Sequence, residues 1–411
     1  MLQLTPHADL RTGRPCWEDP ASDILPSSPA PTQAQIVIVG AGVMGAMLAQ
    51  KLSAEGRDVV LLDRRAPARG ATAASTALVL WAADLPLSLF ARHVGAEMAA
   101  RAWRRVYRAL DGLAERIQML GLDCRWQKRP ELYLPGNLLD GDGLAAETDA
   151  RVSAGLPSTL LDPGTVAERF GLPPTPAILS EGCFGVDPVA LSIGMLGAAI
   201  DNGARLTIDC DVIGLDERGD GIEVRCEGDI RIRAERVILA TGYEPAGWYL
   251  PSAFKIQSSY AIATAPGTAP SWREKAMLWQ AGDPYLYARG TVDGRIVIGG
   301  EDEQIVDSEA RDRLLATKRG LLEAKGARLL GLDSVSADRA WTARFCTSPD
   351  GLPAIGKAAN SERVWLAYGY GGNGITFAAL ATELLGAAIT GSPDEDAGLF
   401  DPYRFDRESA E

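Results

Sequence analysis

The feature that most constrains the fold is a glycine-rich turn between a short apolar strand and a helix, within residues 36–63. Residues 36–39 are Ile-Val-Ile-Val and predict a buried strand, and Gly40, Gly42 and Gly45 follow it at the spacing GxGxxG. In such a unit the first glycine makes a tight turn, the second lets the backbone approach a pyrophosphate, and the third lets the helix pack on the strand. The helix N-terminus supplies amide donors and partial positive charge. The sequence therefore predicts a dinucleotide-binding βαβ unit.

The acidic residue at the end of the second strand, Asp63, indicates which ribose this unit accepts. A carboxylate at this point accepts a hydrogen bond from a ribose 2′-hydroxyl. It also repels a 2′-phosphate, so the adjacent Arg64 and Arg65 do not by themselves predict an NADP site.

Composition limits the classes of protein to which the chain can belong. The formal net charge of −13 argues against nucleic acid or an anionic membrane surface as a partner, and it permits attraction of a cationic substrate. No apolar run reaches membrane-spanning length, and residues 1–33 lack the apolar segment of a signal peptide. We therefore expect a cytoplasmic protein with an extended N-terminal arm, anchored at Trp17. The six cysteines lack metal-ligand spacing and only two histidines are present, so neither a metal site nor a histidine triad is expected.

Beyond the βαβ unit, the pattern predicts helices, a group of short strands and an antiparallel sheet. Residues 86–120 carry apolar side chains at helical spacing and predict one or two amphipathic helices, and residues 189–202 predict another. Short strands are expected at 205–209, 212–217, 221–226 and 230–234, a buried strand at 236–242, and antiparallel strands at 258–264, 285–289 and 295–299.

Three segments carry a resemblance to a known group of proteins. The first is the βαβ unit followed by the small residues 70–76, and the second is the strand that ends in Ala-Thr-Gly at 240–242. The third combines Thr-Ser-Pro-Asp-Gly-Leu-Pro-Ala-Ile-Gly at 347–356 with the glycine-rich residues 369–375. Together they resemble the D-amino-acid-oxidase-like superfamily, over about residues 34–390. Within it, the chain is most similar to the group of γ-glutamylputrescine oxidase, glycine oxidase and sarcosine oxidase.

The resemblance implies FAD as the cofactor and identifies a set of residues that bind it. Bare glycine amides before the helix that starts near Ile375 suit the N1–C2=O edge of an isoalloxazine ring, where negative charge collects on reduction. The expected cofactor-binding residues are Gly40, Gly42, Val43, Met44, Gly45, Asp63, Arg64, Ser75, Thr76, Val212, Ala240, Thr241, Gly242, Gly371, Gly372, Asn373, Gly374 and Ile375.

Two departures from the family pattern bear on the chemistry. Counting back from Asp350, the cysteine that links flavin covalently in sarcosine oxidases falls at Ala343, so we expect non-covalent FAD. Glycine and D-amino-acid oxidases have a carboxylate-binding arginine where this chain has Phe345. An aromatic ring cannot replace a bidentate guanidinium, so amines are favoured over simple α-amino acids. Phe345 is then expected to present an apolar or cation-facing wall.

The implied function is FAD-dependent oxidation of a primary or secondary amine, such as a polyamine or its γ-glutamyl derivative. Hydride passes from the α-carbon to flavin N5, and water hydrolyses the resulting imine. Tyr285, Tyr287 and Arg289 alternate onto one face of a strand and, with Phe345, are the candidate substrate-site residues. Cross-strand pairing on a solvent face explains that alternation equally well.

Other interpretations stay open on the sequence. The electron acceptor is oxygen or a quinone or other carrier, because the position of the sarcosine-oxidase lysine over N5 falls at Val297. An oxidase or dehydrogenase of D-amino acids, glycine or sarcosine is the first alternative, and a flavin-bearing non-catalytic subunit is the second. A nicotinamide-dependent dehydrogenase would use the βαβ unit but leave residues 371–375 unexplained.

The expected fold class is α/β (α+β), with a Rossmann-like FAD-binding domain interleaved with an antiparallel-sheet substrate domain. The expected divisions are an arm at 1–33, FAD-binding segments at 34–100, 166–250 and 337–400, a helical substrate-domain segment at 101–165, the substrate domain at 251–336 and a tail at 401–411.

Overall fold

A computed structural model describes residues 4–17, 25–244, 249–250, 252–269, 273–368 and 371–408. Strands and helices alternate through most of this part of the chain, and three sheets form. The strands are β1 (Arg11–Gly13), β2 (Gln33–Val39), β3 (Val59–Leu62), β4 (Leu78–Val79), β5 (Gln127–Lys128), β6 (Glu131–Leu134), β7 (Ser158–Leu161), β8 (Ala177–Ser180), β9 (Phe184–Gly185), β10 (Arg205–Thr207), β11 (Val212–Arg218), β12 (Gly221–Cys226), β13 (Arg231–Leu239), β14 (Lys255–Thr264), β15 (Met277–Gln280), β16 (Leu286–Gly290), β17 (Ile296–Glu303), β18 (Ala337–Thr347), β19 (Ala354–Lys357) and β20 (Val364–Tyr368).

The helices connect these strands and cover the sheets. They are α1 (Val43–Ala54), α2 (Ala71–Ala74), α3 (Leu87–Val94), α4 (Ala96–Met119), α5 (Gly141–Ser153), α6 (Pro163–Phe170), α7 (Pro188–Asp201), α8 (Ser308–Arg313), α9 (Leu315–Leu330), α10 (Gly374–Thr390) and α11 (Arg404–Glu408). Among the described residues, no helix combines the length and apolarity that crossing a bilayer requires.

The eight-stranded sheet is built on parallel strands and carries the glycine-rich turn. Strands β10, β3, β2, β13 and β20 lie side by side in that order and run parallel. β3 and the C-terminal half of β2 are buried throughout, because helices cover both faces of a parallel sheet. The two strands predicted at 230–234 and 236–242 are one continuous strand, β13, which pairs with β12 through its first half and with β20 through its last residues.

The nine-stranded sheet has the order β1-β18-β14-β17-β16-β15-β6-β8-β7 and is mostly antiparallel. Its composition corrects two of the expected divisions. The sequence assigns β8 and β18 to FAD-binding segments, but both pair within this sheet, β8 against β6 and β18 along the length of β14. Long stretches of backbone pairing decide this placement, and they are not visible in a local pattern.

The described part of the N-terminal arm bridges the two large sheets. β1 forms the edge of the nine-stranded sheet by pairing with β18, with Thr12 opposite Thr342. The indole N–H of Trp17 donates to the Ser75 carbonyl oxygen at 2.6 Å, beside helix α2. Residues on either side of β1 are therefore tied to both layers.

A buried ion pair within helix α5 fixes the segment that leads into α3. Glu147 accepts the Arg151 guanidinium at 2.8 Å, and both side chains are at most 1% exposed. The same carboxylate accepts the backbone N–H groups of Leu87 and Ser88, at 3.0 and 2.7 Å, and so caps the first turn of α3. The Arg151 guanidinium lies 5.5 Å from the centre of the Trp81 ring. One carboxylate thus joins three parts of the core.

Replacing the Glu147 carboxylate should destabilise the folded protein. We expect Glu147→Gln to lower the free energy of unfolding by about 3 kcal/mol, because it removes the charged hydrogen-bond partner of Arg151 in the core. The matched control is Glu55→Gln, which breaks the Lys51–Glu55 pair in α1, where the side chains are 26% and 33% exposed. That control should lose no more than about 0.5 kcal/mol. Urea unfolding measures both variants, and equal losses would contradict the assignment.

Candidate active site

A cavity of about 1810 Å³, counted with its open mouth, lies where the two large sheets meet. Its walls come from the turn after β2, the end of β3, helix α2, strands β14 and β18 and the turn before α10. Residues that are distant in sequence therefore face one continuous cavity. The βαβ unit lines one end of it, and aromatic side chains line the other.

The glycine-rich turn has no room for side chains. Gly40 has φ +113°, and a Cβ added there would lie 2.4 Å from the Ala240 carbonyl oxygen. Only glycine fits such a turn against β13. At the start of α1, the Val43 N–H donates to the Thr72 hydroxyl at 3.0 Å, which attaches helix α2 to the turn. The first amides of α1 thus border the cavity.

Asp63, at the end of β3, points back to the glycine-rich turn. Its two carboxylate oxygens accept the N–H groups of Ala41 and Arg65, at 2.7 and 2.8 Å. Burial raises the pKa of Asp63, and these two hydrogen bonds act against the rise. Each carboxylate oxygen has a second lone pair, so the group retains acceptor capacity for hydroxyls in the cavity.

The arginines that border the cavity all lie next to the N-terminal arm. Each one hydrogen-bonds, through its side chain or its backbone, to a residue between 5 and 11. Arg65 also pairs with Glu244 at 2.7 Å. The four are Arg64, Arg65, Arg69 and Arg344. The arm therefore marks the side of the cavity where the arginines lie, together with the carboxylates of Asp63, Asp211 and Glu244.

On the other side, the turn before α10 is attached to the segment that follows β4. The side-chain amide of Asn373 donates to the Ala82 carbonyl oxygen at 2.6 Å, and the Gly372 N–H donates to Asp84 Oδ2 at 2.9 Å. Gly371 has φ +54°, and a Cβ added there would lie 2.3 Å from Asp84. One of the amides expected at a flavin ring edge is therefore already bonded to a carboxylate.

Asp84 is the functional candidate that sequence reasoning missed. It borders the cavity and is only partly buried, yet burial raises its pKa to about 6, and the Gly372 hydrogen bond acts against that rise. The signal in the sequence is a lone acidic residue directly after the apolar residues 77–83. No motif marks it, because its importance comes from contact with a segment near the other end of the chain.

Aromatic side chains form the wall next to Asp84. The candidate residues Tyr285, Tyr287 and Phe345 border the cavity, and Trp279 joins them. The Tyr285 ring lies 6.1 Å from that of Trp279 and 5.9 Å from that of Tyr287. Behind this wall, burial raises the pKa of Asp302 to about 7, and the hydroxyls of Ser259 and Tyr285 hydrogen-bond to it and lower the pKa.

Arg289 corrects the predicted substrate site. Its side chain is 2% exposed, and it is not one of the residues that line the cavity, although Tyr287 of the same strand is. The guanidinium donates to the carbonyl oxygens of Ala77 and Val186, and it lies 5.5 Å from the centre of the Trp17 ring. Arg289 therefore joins β16 to the core and the arm, and it lies outside the cavity wall to which the sequence analysis assigns it.

All but one of the expected cofactor-binding residues border the cavity. The exception is Gly45, where an added Cβ would lie 1.8 Å from the Gly40 carbonyl oxygen, so this glycine serves the packing of α1. Those on the wall are Gly40, Gly42, Val43, Met44, Asp63, Arg64, Ser75, Thr76, Val212, Ala240, Thr241, Gly242, Gly371, Gly372, Asn373, Gly374 and Ile375.

Comparison with known proteins places the chain among flavoproteins. The family described as FAD dependent oxidoreductase matches residues 35–388. A probable oxidoreductase of Haemophilus influenzae, OrdL, is 23% identical over 90% of this chain and 85% of its own length. The bifunctional tRNA 5-methylaminomethyl-2-thiouridine biosynthesis protein MnmC of Polaromonas naphthalenivorans is 27% identical over 92% of this chain. This chain spans only 60% of that relative.

Solved structures share the fold. L-proline dehydrogenase from P. horikoshii superposes with a TM-score of 0.75 at 19% identity, covering 92% of this chain and 99% of that one. Glycine oxidase from Geobacillus kaustophilus gives a TM-score of 0.74, also at 19% identity, with coverages of 91% and 99%.

The residues on the cavity wall fit FAD. The turn at Gly40 and the first amides of α1 suit a pyrophosphate, Asp63 suits a ribose, and the arginines on the arm side suit negative charge. The small residues 70–72 and 74–77 border the same space, where a flat ring can lie close to the backbone.

Reversing the charge at Asp63 should weaken FAD binding. We expect Asp63→Arg to reduce FAD affinity roughly 10- to 100-fold, because the variant removes a ribose acceptor and leaves two buried N–H groups without their charged partner. Asp58→Arg is the matched control. Asp58 directly precedes β3, its side chain is 47% exposed, and it pairs with Arg205 on the surface. Titrating apoprotein with FAD measures both, and unchanged affinity in Asp63→Arg would show that this carboxylate does not contact the cofactor.

Proposed function

The chain belongs to the family of FAD-dependent oxidoreductases, and from this premise we propose that it oxidises a primary or secondary amine that lacks an α-carboxylate. FAD, when bound, supplies the acceptor for the hydride of the carbon next to nitrogen. The protein's own contribution is to hold that carbon in place, to exclude water and to keep the nitrogen in the protonation state that the reaction needs.

The distribution of charge along the cavity carries this proposal. The arginines of the cavity wall lie beside the arm, whereas the charged residue of the aromatic end is Asp84. Phe345 borders the cavity at the position where the resemblance implies an arginine in amino-acid oxidases. A substrate carboxylate beside Asp84 and the tyrosines would lose its hydration without gaining a cationic partner there, at a cost of several kcal/mol. A cationic amine meets a carboxylate and aromatic rings instead.

Within this class, a polyamine or a γ-glutamyl-polyamine is the substrate we favour. Two observations support it: the net charge of −13, which attracts cations to the protein, and the aromatic wall of Trp279, Tyr285 and Tyr287. Oxygen and a quinone or other carrier are both compatible electron acceptors. Val297 packs in an apolar cluster with Ala263 and Trp341, and among the described residues of the cavity wall there is no lysine.

A second candidate function is oxidation of an amino acid. It is favoured by one observation, that Arg344 borders the cavity next to Phe345 and its buried Nε lacks a hydrogen-bond partner. The names of the structural neighbours, glycine oxidase and L-proline dehydrogenase, agree with this candidate. The other Arg344 nitrogens are partly engaged, since Nη2 donates to the Val306 carbonyl oxygen. We therefore rank amino acids below amines.

Anaerobic reduction of the flavin separates the two candidates. We expect putrescine or N-methylbutylamine to reduce the flavin at least roughly tenfold faster than glycine, sarcosine or D-alanine, because the amino acids would bring an unpaired carboxylate to the aromatic end. Stopped-flow absorbance measures these rates. A wild-type preference for the amino acid, lost selectively in Arg344→Gln, would overturn the amine proposal.

Arg289→Ala is the structural control in the same experiment. It leaves the carbonyl acceptors of Ala77 and Val186 without their donor, so it should lower thermal stability and change the rates for both substrate classes by a similar factor. A selective loss of amino-acid reduction in this variant would restore Arg289 to the substrate site.

A further inference from the structure

We propose that Asp84 binds the cationic nitrogen of the substrate and accepts its proton, with the Tyr285 hydroxyl beside it. This inference rests on the proposed function and deepens it, since it assigns the recognition of the amine to one carboxylate. The site expected from the sequence does not include Asp84.

The geometry brings Asp84 and the aromatic wall to the same point of the cavity. Asp84 Oδ2 accepts the Gly372 N–H at 2.9 Å. A Cβ added at Gly372 would lie 2.9 Å from Asp84 Oδ1 and 3.3 Å from the Tyr285 hydroxyl oxygen. The carboxylate and the phenol therefore meet over one glycine, which leaves an open position between them where a ligand nitrogen fits.

Among the described residues, Asp84 has no arginine partner, whereas three other carboxylates do. Glu147, Glu244 and Asp350 each accept an arginine within 2.8 Å. Among the described residues, the Gly372 N–H is the donor that Asp84 has, and no lysine or arginine lies at ion-pair distance from it. A carboxylate in this environment is stabilised when a cation arrives. An alkylammonium ion would supply the positive charge that Asp84 does not receive from the described residues.

The aromatic rings complete the recognition. The Tyr285 hydroxyl lies near Asp84, and its ring lies 6.1 Å from that of Trp279 and 5.9 Å from that of Tyr287. Such rings attract an ammonium ion through their faces and also accept its alkyl chain. A carboxylate with aromatic rings around it therefore favours a cationic amine over a neutral molecule of the same shape.

In the proposed step, one proton passes from the ammonium ion to Asp84. One N–H bond of the ammonium ion breaks, its proton goes to an Asp84 oxygen, and the bonding electron pair stays on nitrogen as the lone pair of the neutral amine. No electron is gained or lost in this step. The neutral amine is the form from which the α-carbon can release hydride, because the lone pair stabilises the developing positive charge.

The pH dependence follows from the groups that face Asp84. These are Tyr133 from β6, Tyr243 after β13, Tyr285 before β16 and Asp302 in β17. Burial raises the pKa of each tyrosine, so all three stay neutral near neutral pH, and it raises the pKa of Asp302 to about 7. Burial raises the pKa of Asp84 to about 6. Because its charge is lost as the pH falls through that value, affinity for an ammonium ion should decline below about pH 6.

A binding experiment tests the assignment without turnover. The probes are tert-butylammonium, which has no α-hydrogen and cannot be oxidised, and tert-butanol, its neutral isostere. Both are titrated into the FAD-loaded protein at about pH 8, where the amine is cationic and Asp84 is ionised. Calorimetry and the perturbation of the flavin spectrum report the dissociation constants. Wild type should bind the ammonium ion at least roughly tenfold more tightly than the alcohol.

Three variants show which residue causes the preference for tert-butylammonium over tert-butanol. Asp84→Asn keeps an acceptor for Gly372 and should lose the preference for tert-butylammonium roughly tenfold or more while it binds tert-butanol as before. Asp84→Glu keeps the charge and should retain most of the preference. Asp302→Asn is the matched control, because Asp302 lies behind Tyr285 and outside the cavity wall, so it should change the preference much less than Asp84→Asn.

The outcomes separate this inference from the proposed function. If wild type shows no preference for the ammonium ion, or if Asp84→Asn retains it in full, the assignment of Asp84 is wrong. Should amines reduce the flavin equally well in Asp84→Asn and wild type, the proposed function stands and the inference fails. Should the preference depend on Asp84 while no amine reduces the flavin, the inference stands and the proposed function fails.

Discussion

The site depends on one set of hydrogen bonds that joins the segment after β4 to the turn and first residues of α10. The Thr376 hydroxyl donates to the Leu80 carbonyl oxygen at 2.7 Å, and Asn373 and Gly372 make the two further bonds, to Ala82 and Asp84. These contacts span almost 300 residues of sequence. They bring a carboxylate to the N-terminus of a buried helix, and they set the position of Asp84 against the aromatic wall of the nine-stranded sheet. The side chains of Asn373 and Thr376 satisfy backbone carbonyl oxygens of the segment after β4, and the Gly372 N–H is paired with Asp84, so the pairing of buried polar groups holds the arrangement.

Charge is arranged along the cavity by the same contacts between distant segments. The N-terminal arm brings its backbone and side chains to the arginines on one side, while the other side has a carboxylate, tyrosines and Trp279. A dinucleotide and a cationic amine require opposite charges from the protein, and a long cavity with different ends can meet both requirements. The buried position strengthens each interaction, because the effective dielectric constant inside a protein is lower than in water.

The parts of the molecule that the sequence predicts well are those with a local physical cause. Gly40 is required by a turn that leaves no space for a side chain, and Asp63 ends a strand whose position is set by its apolar neighbours. Arg289 shows where such reasoning fails: alternation along β16 predicts the face of its side chain, but the carbonyl oxygens that it binds come from other parts of the chain. The position of Asp84 and the pairing of β18 with β14 depend on distant partners in the same way, and no local sequence pattern predicts them.

The central claim is that this protein removes hydride from the carbon next to an amine nitrogen. The most direct measurement compares single-turnover anaerobic reduction of the bound flavin by putrescine and by putrescine deuterated at both α-carbons. If the α C–H bond breaks in the step that reduces the flavin, the deuterated diamine should react several-fold more slowly, with the same final spectrum. Equal rates, or a flavin that neither diamine reduces, would contradict the account.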